Sequence, residues 1–300
     1  MLTFNNKAIK IGSGHTWISN TYIPPMTLRC VFTQAPSSNT NWTVRAVDED
    51  NLIYDVTRTN VQWNKTFLSN VAEVIGQGDC STVTTTQGLF SSKTTLTSVC
   101  NLSFPASTSF TNMFSGCTKL TTVGSIYSTS ALQATNSMFN RCNLLASVPL
   151  FDTSSVTDMK NMFRNCYNLT QLPQYSTSSA TIMGGLCYGC SNLESVPLFD
   201  TSSVTTFIYI DGGSRYGAFG QCTALKTVPL FDTSSATNTS YMFSGCTAVE
   251  SGALALYTQA STQTTPPTSY SGMFANCGSG TTTGAAELAQ IPASWGGTGA

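Results

Sequence analysis

The sequence carries little charge: only 9% of its 300 residues are Asp, Glu, Lys or Arg, and the net charge is −1. Proteins that bind nucleic acids or anionic membrane surfaces need clustered Lys and Arg side chains. We therefore expect no nucleic-acid binding. The chain also lacks any apolar run near the roughly 20 residues of a membrane span, so we expect no membrane insertion.

Histidine is almost absent, with His15 as the single copy. The sequence has no GxSxG motif and no glycine-rich phosphate loop, so neither a hydrolase triad nor a nucleotide site is indicated. Asp48-Glu49-Asp50 is an isolated acidic cluster, for which a solvated hairpin tip is a simpler interpretation than a general acid–base pair. We predict a non-enzymatic protein with no catalytic site, no cofactor and no metal.

The chain is rich in Thr, with 47 residues, and in Ser, with 38 residues. It also contains an internal repeat. The repeat is typified by Phe151 to Pro173, FDTSSVTDMKNMFRNCYNLTQLP. Its core is a Phe, a Cys three residues later and a Leu three residues after that. The first slot recurs from Phe90 to Phe274 at steps of 24, 25, 24, 24, 32, 24 and 31 residues. Such a step predicts a solenoid, in which each repeat packs on its neighbours.

The shared slots predict a structural ladder inside the array. Its members are Phe114, Phe139, Phe163, Phe219, Phe243 and Phe274, with Cys117, Cys142, Cys166, Cys190, Cys222, Cys246 and Cys277. Because a free Cys packs as a small hydrophobe, we favour core packing over crosslinking for this column. Disulfides between adjacent repeats stay open as the alternative, since stacked strands lie about 4.8 Å apart.

Two motifs within the repeat have a chemical and a structural interpretation. Cys187 and Cys190 form a CxxC, but they occupy the Phe and Cys slots, which favours packing over redox or zinc chemistry. Asp152, Asp200 and Asp232 share one slot and could form a Ca²⁺ column. Since Asp also caps turns, we favour capping.

The periodicity changes once within each repeat. Val156, Met159, Met162 and Phe163 are spaced as on one helix face, and after Cys166 the spacing becomes strand-like. We predict an α/β fold: a leucine-rich-repeat-like solenoid of about eight rungs over residues 81–292, each with a short parallel strand and a short helix. A flexible tail would follow at residues 293–300.

Residues 1–80 lack the repeat, and their sequence pattern predicts a small antiparallel β domain. Short β-prone runs alternate there with turn residues. They are Ala8 to Ile11, Thr16 to Ile23, Met26 to Thr33, Trp42 to Val47 and Leu52 to Thr57. Val61 to Ile75 has apolar residues at roughly helical intervals and predicts a short helix leading into the array.

Two repeats carry extra residues, near Phe207 to Gly217 and near Ala253 to Pro267, and insertions in arrays usually form loops. The first holds Phe207, Tyr209, Arg215 and Tyr216 outside the repeat register. Aromatic and Arg side chains are enriched in binding hot spots, so these four residues are candidates for a partner-binding loop. Packing of the loop against its own array is an equally good interpretation.

The repeat sequence SVPLFDTSSVTDMKNMFRNC resembles the BspA-type leucine-rich repeats of bacterial surface proteins. Near-copies of it lie at Ser195 to Thr205 and Thr227 to Thr237. The resemblance covers roughly Leu89 to Cys277. It implies a non-catalytic surface protein with a role in adhesion. Similar arrays occur in tailed-phage virion proteins, including those of crAss-like phages, and LSNVAEVIG at Leu68 to Gly76 resembles the join in such proteins.

Lys7 and Lys10 are not followed by an apolar segment, so we expect no secretory signal. With the resemblance, this favours a structural protein of a tailed-phage virion: a fibre, decoration or tail component. We expect residues 1–80 to attach to other virion proteins, the array to contact a host-surface glycan or protein, and the chain to form a homo-oligomer. The alternative is an adhesin on a bacterial cell surface.

Overall fold

The structure, a computed structural model, describes residues 27–36, 42–58 and 70–299. It is a mixed α/β chain with more strand than helix segments in these ranges. The first strands are β1 (Thr27–Phe32), β2 (Trp42–Asp48), β3 (Ile53–Arg58), β4 (Val71–Gln77), β5 (Ser98–Val99), β6 (Leu102–Ser103), β7 (Thr122–Val123) and β8 (Ile126–Tyr127). Six of them form one sheet in the order β2-β3-β1-β4-β5-β7. No helix within the described residues is long and apolar enough to cross a bilayer.

The first four strands pair in antiparallel fashion, and the positions of β1, β2 and β3 agree with the three strands predicted there. On β1, Leu28, Cys30 and Phe32 are buried, as the alternation of a strand requires. Asp55 on β3 is also buried and accepts from Arg29 at 2.7 Å and from Arg45 at 2.7 Å. The predicted strands at Ala8 to Ile11 and Thr16 to Ile23 lie outside the described residues.

The predicted helix over Val61 to Ile75 is wrong where the structure describes it. Residues 61–69 lie outside the described part, and Val71 to Ile75 belong to strand β4. Val71 and Val74 are buried in the sheet between β1 and β5. Pairing on both edges therefore overrides the weak helical spacing.

Strand β4 connects the antiparallel part to the repeats. It pairs with β1 on one side and runs parallel to β5 on the other, and β5 in turn runs parallel to β7. Strands β5 and β7 follow Leu96 and Leu120, where the repeat pattern places a short strand. A second parallel pair, β6 with β8, lies in the same two repeats.

Successive repeats place the same slots side by side. Rings of neighbouring Phe slots stack at centroid distances of 5.3 to 6.4 Å, with interplanar angles of 14° or less. Single parallel bridges also run from repeat to repeat. They join Ser109, Ala134, Asp158, Ile182, Thr206, Asn238 and Ser269 in that order. The core is therefore one continuous column rather than a set of separate clusters.

The Cys column has a polar role as well as an apolar one. Six thiols each donate to the backbone carbonyl of the Phe slot in the preceding repeat, at Sγ to O distances of 2.9 to 3.2 Å. Cys166, for example, donates to the carbonyl of Phe139 at 3.1 Å. All seven ladder Cys are free and fully buried. A Cys here fills apolar volume and also supplies a hydrogen-bond donor, which no aliphatic side chain of that size does.

The short helix predicted in each repeat is wrong. Val156, Met159, Met162 and Phe163 are buried, but their segment is a series of turns. Asn161 and Asn165 have φ angles of 55° and 59°, and left-handed residues cannot continue an α-helix. Other repeats have left-handed residues in the same two slots, such as Gly185 with Gly189. The apolar spacing identifies the core, but the backbone follows two left-handed corners.

The remaining elements are β9 (Ile208–Asp211), β10 (Ser214–Gly217), α1 (Ala253–Thr262), α2 (Thr282–Leu288) and a 3-10 helix (Ala293–Trp295). The second insertion, predicted to be a loop, is largely helix α1. Two backbone N–H groups at the start of α1, those of Gly252 and Leu254, donate to the carboxylate of Glu287. This satisfies donors that a helix start leaves unpaired.

The C-terminal residues fold back on the last repeat. We predicted a flexible tail at residues 293–300, yet Thr298 and Gly299 donate backbone hydrogen bonds to Leu288 and Ile291. Trp295 is 6% exposed and stacks on Tyr270 at a centroid distance of 4.1 Å. The end of the core column is thereby covered by an aromatic side chain.

Candidate functional site

The buried thiols are poor candidates for chemistry. Burial raises the pKa of Cys187 well above its usual value, and its neighbour Cys190 donates to the carbonyl of Phe163 at 3.0 Å. A thiol that stays protonated is neither a nucleophile nor a metal ligand. Within the described residues, no group of three His, Cys, Asp or Glu side chains could hold a metal ion.

The shared Asp slot forms turn caps. The Asp152 carboxylate accepts from the backbone N–H of Ser154 at 2.9 Å, and Asp200 accepts from Ser202 in the same way. Hydrogen bonds from Ser154 hold the pKa of Asp152 below its usual value. In the acidic cluster, Asp48 accepts from the backbone N–H of Asn51, in the turn between β2 and β3. These carboxylates are used in local structure.

The first insertion forms a two-stranded hairpin. Strands β9 and β10 pair so that Tyr216 lies opposite Tyr209 and Arg215 opposite Ile210. The connecting residues Gly212 and Gly213 have φ angles of 53° and 84°, as a type I′ turn requires. The sequence Asp-Gly-Gly-Ser therefore produces a tight hairpin rather than an irregular loop.

The base of the hairpin is built into the repeat column. Phe207 is fully buried and donates its backbone N–H to Asn238, while Ala218 donates to Phe207. A Cβ placed on Gly217 would lie 1.8 Å from the backbone oxygen of Tyr241, so only glycine fits there. Of the four predicted loop residues, Phe207 belongs to the core and is inaccessible to a partner.

Tyr216 and Tyr209 lie on the array rather than pointing away from it. The Arg164 guanidinium lies 3.7 Å from the centroid of the Tyr216 ring. Tyr188 meets the same ring edge-on at 5.0 Å, and Tyr209 stacks on it at 6.0 Å. The Lys160 ammonium lies 5.3 Å from the Tyr209 ring. These cation–π and aromatic contacts fix the direction of the hairpin.

Arg215 remains exposed on the other side of the hairpin. Its guanidinium lies 5.8 Å from the centroid of the Tyr241 ring, and it has no ion-pair partner among the residues described. Ile210 beside it is 56% exposed, to a degree similar to Leu150, Leu198 and Leu230 of the repeats. The exposed surface of the hairpin therefore combines one free cation with one apolar side chain.

An open groove of about 430 Å³ lies next to this surface. We call it the hairpin groove. It is lined by Ile208, Ile210, Arg215, Asn238, Ser240, Tyr241, Thr268, Ser269, Tyr270, Ser271 and Ser294. Its volume is within the range of small-ligand sites. The hairpin supplies one wall and the turns of the next two repeats supply the other.

Sequence reasoning identified Arg215, Tyr209 and Tyr216, because they stand outside the repeat register. It missed Arg164, Tyr241 and Tyr270. Tyr241 occupies the same left-handed slot as Asn161 and so looks like ordinary variation within a repeat. Its position beside the hairpin depends on the stacking of repeats, and no local sequence signal marks it.

The chain is similar to a solved structure and matches a family model. The solved structure titled "Crystal structure of T. pallidum Leucine Rich Repeat protein (TpLRR)" is 20% identical, with a TM-score of 0.38 over 71% of this chain and 90% of that one. A search of curated proteins gives no match. The model of the family described as "Mycoplasma protein of unknown function, DUF285" matches three overlapping segments, residues 59–172, 108–216 and 157–282. Together these matches span most of the chain, which therefore belongs to the DUF285 family.

Proposed function

We propose that this chain is a non-enzymatic recognition protein whose repeats form a leucine-rich-repeat-like solenoid that presents the β9–β10 hairpin to a partner. The observation that carries the proposal is the exposed pair Ile210 and Arg215 on a hairpin whose direction is fixed by Arg164 and Tyr216. Arg is one of the residue types enriched in binding hot spots, and an element whose direction is already fixed loses little conformational freedom on binding.

The solenoid part of the proposal is supported by the interactions between repeats. Stacked Phe rings, thiol-to-carbonyl hydrogen bonds and single parallel bridges recur at the repeat spacing. Each repeat supplies half of every such contact, so no repeat is complete without its neighbours. Thr side chains add a polar row, in which Thr153, Thr177 and Thr201 each donate to a carbonyl of the next repeat.

We propose the virion of a tailed phage as the setting, with the chain serving as a fibre, decoration or tail component. Two resemblances to phage proteins support this: that of the repeat sequence and that of the segment Leu68 to Gly76. The alternative setting is a bacterial cell surface; the family description names a bacterium, Mycoplasma, and no location. Mass spectrometry of purified particles and of washed cell envelopes from the source culture distinguishes the two.

We propose that residues 1–80 attach the chain to other proteins of its assembly. We also propose that the chain forms a homo-oligomer. Removing all of them is a poor test, because β4 pairs with β5 and its loss would expose the first repeat. Charge-reversing substitutions on exposed residues of β2, such as Arg45→Glu, leave β4 in place. Arg45 also bonds Asp55, so the effect of this change on folding must be measured beside its effect on assembly.

The hairpin is tested by deleting residues 209–216. The deletion shortens the step between Cys187 and Phe219 from 32 to 24 residues, which is the ordinary repeat step. Because Ala218 already bonds to Phe207 at the hairpin base, we expect the shortened chain to fold. It should lose binding to host cells or partner protein while its melting temperature changes little. Unchanged binding by the folded deletion variant would refute the proposal.

A further inference from the structure

The hairpin groove has the composition of a carbohydrate site. Tyr241 and Tyr270 supply aromatic surface, and Ile210 supplies an aliphatic wall. The C–H faces of a sugar ring pack well against such surfaces, because an aromatic face carries partial negative charge. Tyr270 is held in place by its stack on Trp295 at 4.1 Å, so this side of the groove is preformed.

The polar groups of the groove are available to a ligand. The hydroxyl groups of Ser240, Ser269 and Ser271 have no hydrogen-bond partner among the described residues. Asn238 accepts from the backbone N–H of Ser240 at 3.0 Å through its Oδ1, which leaves its amide N–H groups free to donate. Seven of the eleven lining residues are polar and four are aromatic or aliphatic, which suits a ligand rich in hydroxyl groups more than an apolar one.

The charge in the groove has one sign. Arg215 is its single lining cation, and none of its lining residues is acidic. A guanidinium without a carboxylate partner is suited to bidentate pairing with a ligand carboxylate. One cation is too few for a polyphosphate backbone, whose binding depends on many Lys and Arg contacts. The scarcity of aliphatic side chains disfavours a lipid tail.

We propose that the hairpin groove binds an acidic saccharide, with its carboxylate on Arg215 and a sugar ring against Tyr241. The inference rests on the proposed recognition function and names the class of partner. Asn238 and the three serine hydroxyls would then pair with ring hydroxyl groups. The open shape of the groove suits one or two residues of a longer glycan chain.

The test uses the full chain with a galacturonate trisaccharide and the methyl ester of the same trisaccharide. The ester keeps the sugar rings and removes the charge. Binding is followed by saturation-transfer NMR and by titration calorimetry. We expect the acid to bind at least about tenfold more tightly than the ester, because a charge-assisted pair is lost in the ester. Equal binding of the two, or no binding of either, would overturn the proposal.

Two variants localise the binding. Arg215→Gln should remove the preference for the acid, and Tyr241→Asn should weaken both ligands. Asn is compatible with the left-handed φ of 58° at this position, since Asn161 adopts it in the same slot. The matched control is Arg141→Gln, which removes an exposed Arg elsewhere and introduces the residue found at the equivalent Gln221. If the control variant loses as much binding as Arg215→Gln, the site is elsewhere and the proposal fails.

The same experiments separate this inference from the proposed function. If neither saccharide binds but deletion of residues 209–216 abolishes binding to host cells or partner protein, the groove proposal is refuted and the recognition function stands. If the acid binds in the groove and the deletion leaves host and partner binding intact, the groove proposal is supported and the recognition function is refuted.

Discussion

Alkaline pH should unfold this protein, because the ladder buries thiols that would ionise in the unfolded chain. Burial raises the pKa of Cys117 from 9.0 to about 12, and the pKa of Cys166 is also raised well above its usual value. Burial raises the pKa values of eight thiols in this way. They are Cys30, Cys100, Cys117, Cys142, Cys166, Cys187, Cys222 and Cys277.

The sign follows from linkage. A thiol with a raised folded-state pKa contributes its full stability below the unfolded pKa near 9, and it loses that stability as the pH rises toward its folded-state pKa, which is about 12 for Cys117. At pH 10, Cys100 and Cys117 each lower the free energy of unfolding by about 1 kcal/mol, and the other six thiols act in the same direction. Because a typical domain has a stability of about 5 to 15 kcal/mol, the combined loss is a sizeable part of it.

The assay is urea unfolding followed by circular dichroism at pH 7.5, 8.5 and 9.5, in the presence of a reductant. The matched variant is Cys142→Ser with Cys166→Ser, which retains two donors but removes two ionisable groups. Between pH 7.5 and 9.5, its stability should fall by about 2 kcal/mol less than that of the wild type, because two thiols no longer ionise in the unfolded chain. Equal slopes, or constant wild-type stability from pH 7.5 to 9.5, would refute the reasoning.

Three further changes test the packing. Phe163→Ala should lower the free energy of unfolding by about 3 to 5 kcal/mol, as for other buried Phe, whereas Leu150→Ala at a 61% exposed position should cost under about 0.5 kcal/mol in the same urea titration. Equal losses would mean that the register is wrong. Gly217→Ala should cost at least about 1 to 3 kcal/mol by overpacking against Tyr241, measured as a lower melting temperature. Gly212→Ala, with no atom within 4 Å of the added Cβ, should cost only the strain of its φ, about 1 kcal/mol, and a larger loss than Gly217→Ala would contradict this account.

The burial pattern could be predicted from the sequence, but the backbone could not. Phe163 and Cys166 recur at a fixed step, and a fixed step is sufficient to place them in a shared core. The helix predicted through Val156 and Phe163 was wrong because spacings of three and four residues also occur in stacked turns. Asn161 and Asn165 could have indicated those turns, since Asn tolerates left-handed φ better than other non-glycine residues.

The candidate site was only partly predictable for a different reason. Tyr216 and Arg215 attract attention in the sequence because they interrupt the register. Their partners Arg164 and Tyr241 lie inside repeats before and after the hairpin. Whether two such residues meet depends on how many repeats separate them and on how closely the repeats stack. The repeat steps specify the first quantity, whereas a single sequence does not specify the second.

Packing of the ladder is independent of the exposed hairpin residues, because the hairpin is inserted without interrupting the column. The Phe slot continues from Cys187 to Phe219 across the insertion, with Cys187 donating its backbone N–H to Ala218 and Cys222 donating its thiol to the carbonyl of Cys187. Ladder residues therefore satisfy one another whatever the hairpin carries. Changes at the exposed Ile210 or Arg215 should therefore cost little in folding, whereas changes in the ladder affect folding first. If the groove binds a ligand as proposed, an array of this kind would acquire a new ligand by exchanging one hairpin.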